Sequence, residues 1–553
     1  MFACLHPSLA IAEGGIDPAD PMVRVTSPPT DLDVDAVLVK VGRDVSAATG
    51  VGEEFITYYW QTFDSVIYNG HPSKDPLFVD LYVPGFFSDE QVESMMLAVA
   101  DALEKHAGVD KKWLFIHTHF PLQGQIYIGG AIQHWDNYRG AKSSQPRPMS
   151  QRSMGGFLFN DPSFVFQSLW RAGVAATGGA DLGEVLTATG RIDDFDHESW
   201  YDSWNSMART VQGKADGFAA AGHELSAQEA YFRATNYFRA SEIYLGHDDP
   251  RAMNAWRDGR ETFLRAADLS DGRIEHVRIP YEDTTLPGYF LTPDNSQKKR
   301  PLLLIQTGLD GTAEDLYFIV GAQAVKRGYN CLIFEGPGQG EMMRVQDKPF
   351  RPDWEKVVTP VLDYALARPD VDPERAALLG YSMGGYLAPR AAAHDARIRW
   401  LIADGGVFSV YDGTLTKFPE EAREAMDSWS GEDEVDELVR AEMEKRPEVS
   451  QFINQMLLTF QADSPYALLK KLQEYTLEDS IKDLKCEVLV VNSSQDQVAG
   501  SNQQAKLFYN ALKTTKTYME FTDEQGGQFH CQLGAPMASS ERILNWLDER
   551  AKP

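Results

Sequence analysis

Five short apolar runs in the second half of the chain restrict its fold more than any other feature. They are continuous rather than alternating, and each is bounded by Gly, Pro or Asp. The runs are "RPLLLIQTG", "YNCLIFEGPG", "RAALLGYS", "RWLIADGG" and "CEVLVVNSS". Such runs are typical of strands buried on both faces of a parallel sheet, and the helical stretches between them favour right-handed strand–helix–strand units. We expect an α/β fold over 273–553, with a β-hairpin formed by "EHVRIPYE" and "LPGYFLTP" at its start.

Helical sequence lies before this sheet and also interrupts it. An acidic helical insertion is predicted at about 411–485, where it would serve as a lid or as a structural cap. Residues 157–272 are mostly helical in pattern and rich in aromatics, with one long helix predicted over Ala227–Leu245. Three tyrosines of that helix are expected in the core rather than in contact with a substrate: Tyr231, Tyr237 and Tyr244.

The first 140 residues contain an internal repeat, in which "TGVGEEFITYYWQTF" lines up with "AGVDKKWLFIHTHFP". A strand signal and a helical stretch precede each copy, the stretches being 33–48 and 89–106. Two strand–helix–strand units predict one four-stranded sheet with both helices on one face, an α+β module over 1–140. The stretch 141–156 is rich in Ser, Pro and Arg, which is typical of a linker.

Charge and cysteine usage exclude several classes of function. A net charge of -29 disfavours nucleic acid and anionic membranes as partners. The four cysteines are far apart and have no CxxC spacing, so we expect neither a zinc site nor a disulfide framework. No run is long enough for a membrane span, and the start of the chain lacks the basic region of a signal peptide. We predict a cytoplasmic protein with a small-molecule substrate and no cofactor, and leave a homo-oligomer open.

The run "RAALLGYSMGGYLAPRAAA" has the pattern strand, tight turn, helix. At its centre is the motif Gly380-x-Ser382-x-Gly384, in which small residues let the turn approach neighbouring elements closely. Such an elbow presents a serine hydroxyl at a helix N-terminus. The sequence therefore predicts Ser382 as a nucleophile.

A nucleophilic serine needs a base, and the base needs an orienting acid. In this fold the chain order is serine, acid, histidine. Asp496 follows the strand "CEVLVVNSS", and His530 follows a further strand and a Gly-rich loop. We predict Asp496 as the acid and His530 as the base. Asp404 and Asp412 are the competing acids.

The oxyanion formed during acyl transfer needs two N–H donors. Met383, directly after the nucleophile, provides the first. The second is expected from the loop "IQTGLDGTAED", at Leu309 or Asp310. The glycine-rich "FEGPGQGE" lacks the GK[ST] of a P-loop, and we interpret it as a sharp strand exit beside the site.

Together, "TGLDGTAED", "FEGPGQGE", "GYSMGGYLAPRAAA", "DQVAG" and "GQFHCQLGAP" resemble one branch of the α/β-hydrolases. This branch contains the FrsA-like esterases, the 2,6-dihydroxypseudooxynicotine hydrolase and the fungal pigment hydrolases that shorten a naphthopyrone. The resemblance runs from about Phe157 to the C-terminus. It implies hydrolysis of a carbon–carbon bond next to a ketone in an aromatic polyketide, in secondary metabolism. Ser382, Asp496 and His530 then take the roles of nucleophile, orienting acid and base.

The N-terminal repeat resembles the tautomerase superfamily, whose members use the free amine of an N-terminal proline as a base. The matching residues, Pro21 and Pro76, are internal, so their nitrogens are amides. We therefore expect a non-catalytic module.

Three alternatives to the carbon–carbon hydrolase stay open. The first is an esterase, lactonase or thioesterase with the same triad. The second is an isomerase or cyclase whose chemistry resides in the N-terminal half. The third is a scaffold without activity, which the intact serine, acid and histidine disfavour.

Overall fold

The computed structural model describes residues 21–53, 56–62, 67–68, 71–72, 77–83, 89–119, 127–128, 131–132, 158–159, 161–246, 248–428, 431–496 and 498–552. The chain divides into two units, Met1–Arg147 and Pro148–Pro553. The whole of the predicted linker 141–156 and Pro76 lie outside the described residues.

The first unit contains a four-stranded sheet covered by two helices. The strands of this sheet are β1 (Met22–Ser27), β2 (Thr57–Thr62), β5 (Leu77–Tyr82) and β6 (Leu114–His119). Two separate two-stranded sheets are formed by β3 (Ile67–Tyr68) with β4 (His71–Pro72) and by β7 (Tyr127–Ile128) with β8 (Ala131–Ile132). The helices of this unit are α1 (Val34–Thr49) and α2 (Asp89–Ala107). The sheet order is β2-β1-β5-β6, parallel within each repeat and antiparallel where β1 meets β5. The two repeats therefore form one sheet, as predicted.

Alternation along the strands explains why both helices cover the same face of this sheet. Val25 of β1 and Val79 of β5 face inward and are buried, together with Val41 of α1 and Val99 of α2, in one apolar core. The intervening Arg24 of β1 is only partly buried and pairs with a carboxylate of β5. Period-2 burial of this kind is expected for a sheet with one covered face.

The second unit is built on an eight-stranded sheet. Its strands are β9 (Ile274–Tyr281), β10 (Thr284–Leu291), β11 (Arg300–Gln306), β12 (Asn330–Phe334), β13 (Val371–Tyr381), β14 (Ile398–Asp404), β15 (Glu487–Ser493) and β16 (Lys516–Phe521). The order is β16-β15-β14-β13-β11-β12-β10-β9, parallel from β16 to β12, with the β9–β10 hairpin antiparallel at one edge. All five apolar runs and the predicted hairpin are strands of this sheet.

Helices precede, connect and interrupt these strands. Before the sheet lie α3 (Pro162–Gly173), α4 (Leu182–Thr189), α5 (His197–Ala220), α6 (Glu224–Glu242) and α7 (Pro250–Asp268). Within the sheet lie α8 (Ala313–Leu316), α9 (Ala322–Lys326), α10 (Gly340–Arg344), α11 (Glu355–Leu366) and α12 (Gly384–Ala392). The insertion between β14 and β15 contains α13 (Val410–Leu415), α14 (Glu420–Ser428), α15 (Glu432–Lys445), α16 (Pro447–Thr459) and α17 (Pro465–Leu472). After β15 come α18 (Ser501–Ala511) and α19 (Pro536–Ala551).

Apolar side chains cover both faces of the large sheet. One core joins the sheet to α11, α12 and the insertion, and the other joins it to the helices that precede it. Tyr231 and Tyr237 are buried in the second core, and Tyr244 packs against it. The prediction that these tyrosines belong to the core is confirmed. None of the helices in the described residues is both long and apolar enough to cross a membrane.

Candidate active site

The predicted elbow forms between β13 and α12. The strand ends at Tyr381 and the helix begins at Gly384, so that Ser382 lies in the turn with φ at 61°. A non-glycine residue rarely adopts this left-handed conformation. A Cβ on Gly380 would overlap the carbonyl of Gly384, and a Cβ on Gly384 would lie 2.8 Å from the carbonyl oxygen of Thr307. The glycines of the motif are therefore required by close backbone approach.

The three predicted triad residues come together in one chain of hydrogen bonds. Ser382 Oγ lies 2.8 Å from Nε2 of His530, whose Nδ1 lies 2.7 Å from Oδ2 of Asp496. The other oxygen of Asp496 accepts the backbone N–H of Val498 at 2.9 Å. Since His530 and Asp496 are buried, water has little access to the bonds between them.

The electrostatic surroundings of His530 favour its protonated form. Burial alone would favour the neutral imidazole, but the carboxylates of Asp496, Asp404 and Asp310 together raise the pKa of His530 above its usual value, with the adjacent Asp496 contributing most. The imidazole is thus prepared to take up a proton from Ser382 Oγ and to hold it.

Neither competing acid is bonded to His530. Asp404 is buried at the end of β14, where its Oδ1 accepts from Nε2 of Gln532 at 3.1 Å, and burial raises its pKa to about 7. Its carbonyl accepts the N–H of Ser382 at 2.8 Å, so Asp404 supports the elbow through its backbone. Asp412 is exposed in the first turn of α13.

The predicted oxyanion donors lie on two loops in direct contact. A Cβ on Gly308 would lie 2.6 Å from the backbone nitrogen of Met383 and 2.9 Å from Cβ of Ser382. Leu309 is therefore next to the elbow, and Asp310 follows as an exposed residue. Within the described part of the chain, the N–H groups of Met383 and Leu309 donate to no protein acceptor. Free amides beside a serine hydroxyl suit an oxyanion hole.

Several contacts around the site were not predicted from the sequence. The hydroxyl of Tyr381 donates to the carbonyl of Cys531 at 2.6 Å. This hydrogen bond links the elbow to the loop that carries His530, which we call the histidine loop. A Cβ on Gly173 of α3 would lie 2.9 Å from Cα of Gly534, in the same loop. Arg239 of α6 donates to the carbonyl of Asp310 at 2.7 Å. These residues lie far apart in sequence, and no motif marks them.

A metal has no evident binding place in the described residues, which contain no group of three or more His, Cys, Asp or Glu side chains arranged around a common point. Three of the cysteines, Cys331, Cys486 and Cys531, are buried and free of disulfides. Cys4 lies outside the described residues.

Comparison with known proteins agrees with this architecture. The model of the alpha/beta hydrolase family matches residues 308–518. Hydrolase acrC of Aspergillus aculeatus is 32% identical over 420 residues, which cover 70% of this chain and 96% of that protein. The alpha/beta hydrolase gkaG of Penicillium citrinum is 35% identical over 421 residues, covering 72% and 98%. The 20-hydroxy-prefusarin hydrolase FUS2 of Gibberella moniliformis is 31% identical over 407 residues, covering 71% and 97%.

The chain therefore belongs to the alpha/beta hydrolase family, and its relatives include hydrolases of fungi. Among solved structures, the 2,6-dihydroxy-pseudo-oxynicotine hydrolase shares the fold, with a TM-score of 0.55 and 19% identity. That match covers 69% of this chain and 95% of the other.

Proposed function

We propose that the chain is a serine hydrolase in which Ser382 is the nucleophile, His530 the base and Asp496 the orienting acid. The observation that carries the proposal is the unbroken chain of hydrogen bonds at 2.8 Å and 2.7 Å that links the three side chains. The strained conformation of Ser382 supports it, since strain that the surroundings maintain is typical of functional sites.

The first half of the reaction forms an acyl-enzyme. Ser382 Oγ attacks a substrate carbonyl carbon while His530 Nε2 accepts its proton. The N–H group of Met383 and that of Leu309 or Asp310 stabilise the resulting oxyanion. When the tetrahedral intermediate collapses, the bond to the leaving group breaks and His530 delivers its proton to that group. A general acid or base of this kind contributes typically about 10²–10⁴-fold.

The second half releases the acid. Water attacks the acyl carbon, His530 accepts a proton from it, and Ser382 leaves with that proton. One water is consumed, and the products are a carboxylic acid and the protonated leaving group.

We propose further that the bond cleaved is a carbon–carbon bond next to a ketone in an aromatic polyketide of secondary metabolism. The leaving group is then a carbanion, which an electron-rich arene or a 1,3-dicarbonyl stabilises and which needs a proton at carbon. The raised pKa of His530 suits this step because the imidazolium persists until the carbanion forms. A relative named for its action on 20-hydroxy-prefusarin supports a specialised small-molecule substrate.

The test is product analysis with an aromatic β-diketone, comparing the wild type with Ser382→Ala. A carboxylic acid and a shortened arene, both absent with the variant, are the expected result. Hydrolysis of aryl esters through Ser382 with the diketone left intact would retain the triad and refute the carbon–carbon cleavage. A fluorophosphonate that fails to label the folded wild type would refute the triad itself.

We propose that the first unit is not catalytic. Pro21 is buried, and its carbonyl accepts the N–H of Thr57 at 3.0 Å. Its nitrogen is an amide because Asp20 precedes it, so it cannot act as a base. Mass spectrometry of the mature protein tests this, since an N-terminal Pro21 would create a free amine and overturn the proposal.

A further inference from the structure

The glycine-rich turn after β12 holds a buried amide side chain whose two N–H donors are directed at the loop that carries Gly308 and Leu309. Gln339 is 1% exposed. Its Nε2 donates to the carbonyls of Thr307 and Gly308 at 2.9 Å and 3.0 Å, and its Oε1 accepts the N–H of Gly336 at 2.9 Å. The reverse orientation of the amide would place its oxygen against two carbonyl oxygens, so this network fixes the orientation.

The bond to Gly308 also fixes the direction of the next N–H group. A trans peptide is planar, so its C=O and its N–H point in opposite directions. When Gln339 holds the carbonyl of Gly308, the N–H of Leu309 has to point to the other side of the loop, away from Gln339. The close approach of Gly308 to Met383 keeps this peptide beside the nucleophile elbow.

The turn that carries Gln339 is itself rigidly packed. The backbone N–H of Gln339 donates to the carbonyl of Gly336 at 3.0 Å. A Cβ on Gly336 would lie 2.6 Å from the ring of Trp354, and a Cβ on Gly338 would overlap the ring of Phe350. Both rings are buried in the core of the sheet. The amide of Gln339 is therefore anchored to the sheet and not to a mobile surface.

We propose that Gln339 is a positioning residue that aims the N–H of Leu309 at the oxyanion formed when Ser382 attacks the substrate. The inference rests on the proposed serine hydrolase function. It also selects Leu309 over Asp310 as the second oxyanion donor, because of these two residues only Leu309 has its nitrogen in a peptide that Gln339 holds. The glycine-rich turn thereby acquires a function in the site.

The test compares Gln339→Met with a matched control, Gln346→Met. Both changes remove an amide of similar length from the same segment. Gln346 donates to the carbonyl of Thr285 at 3.1 Å, in β10 and not in the loop that carries Gly308 and Leu309. With an aryl ester, Gln339→Met is expected to lower kcat about 10²-fold, the effect of losing one oxyanion donor, with KM nearly unchanged. The control is expected to keep both constants.

A second readout separates positioning from mere folding. A phenyl trifluoromethyl ketone forms an oxyanion adduct with the serine, so its affinity should fall with Gln339→Met by a factor similar to that in kcat. Gln339→Leu, which is similar in size and lacks the donors, should behave in the same way, and it replaces the methionine variant if that one does not fold.

The outcomes distinguish the inference from the function on which it rests. If the wild type neither hydrolyses the ester nor is labelled by a fluorophosphonate, both proposals fail. If the wild type does both, and the Gln339 variants match the control in kcat and in ketone affinity, the hydrolase stands and the positioning role is wrong.

Discussion

The contact between Gly308, which precedes the proposed oxyanion donor Leu309, and the turn that carries Ser382 gives the sharpest quantitative prediction. In Gly308→Ala the new Cβ would lie 2.6 Å from the nitrogen of Met383. Ordinary van der Waals contact starts at 3.4 Å, so the two segments must separate by about 0.8 Å, the difference between these distances. A misplacement near 1 Å costs roughly 10²-fold in rate. We therefore expect kcat to fall about 10²-fold, equivalent to about 2.7 kcal/mol of transition-state stabilisation.

The assay is steady-state hydrolysis of an aryl ester, with circular dichroism and thermal unfolding to establish that the variant folds. The matched control is Gly213→Ala in α5, where a Cβ would meet nothing within 4 Å. This control should keep kcat and gain about 0.5–1 kcal/mol in the free energy of unfolding, because Ala is favoured over Gly in a helix. A folded Gly308→Ala enzyme with the kcat of the wild type would refute the inferred contact.

Three further predictions concern the two competing acids, the base and a buried ion pair. Asp496→Asn should lower kcat about 10⁴-fold because the histidine loses its orienting carboxylate. Asp404→Asn should lower kcat far less, because Asp404 is not bonded to His530 and asparagine has the same shape as aspartate. Ester kinetics of both variants decide between the two acids. The base must be neutral to act, so kcat/KM should fall as the pH drops through the raised pKa of His530, and a pH profile of Asp496→Asn should show this limb moved to lower pH. Asp315→Ala should cost roughly 3–5 kcal/mol in the free energy of unfolding, because the buried Arg171 loses the carboxylate that lies 3.1 Å away; urea denaturation measures this loss, and an unchanged midpoint would contradict it.

One physical reason made it possible to predict, from the sequence, both the sheet and the proximity of Ser382, Asp496 and His530. Continuous apolar runs of strand length are typical of strands in a parallel sheet that helices cover on both faces. In such a sheet the carboxyl ends of parallel strands meet at one edge, so residues that follow different strands come together there. Ser382, Asp496 and His530 each follow a strand, and their proximity in space results from that topology.

The contacts that hold the loops could not be predicted in this way. Gln339 lies in a motif that was recognised, but its side-chain direction depends on the packing of the turn against Trp354. Arg239 precedes Asp310 by 71 residues, and a contact between a helix side chain and a loop carbonyl has no periodic signature in sequence. Chain order did not separate Asp496 from Asp404 either, since both lie between Ser382 and His530 at the end of a strand.

The helices before the sheet contact the backbone of the proposed active site. Gly173 of α3 packs on Gly534 in the histidine loop, and Arg239 of α6 holds the carbonyl of Asp310 in the loop of the proposed oxyanion donor. Both contacts reach segments that carry proposed catalytic groups. Changes at these contacts should therefore displace the base or an oxyanion donor and lower the rate at which bound substrate reacts. Changes in a helix that only lined a substrate pocket would instead alter the affinity of the enzyme for its substrate. In the proposed mechanism, the helical segment therefore belongs to the catalytic framework as well as to the core.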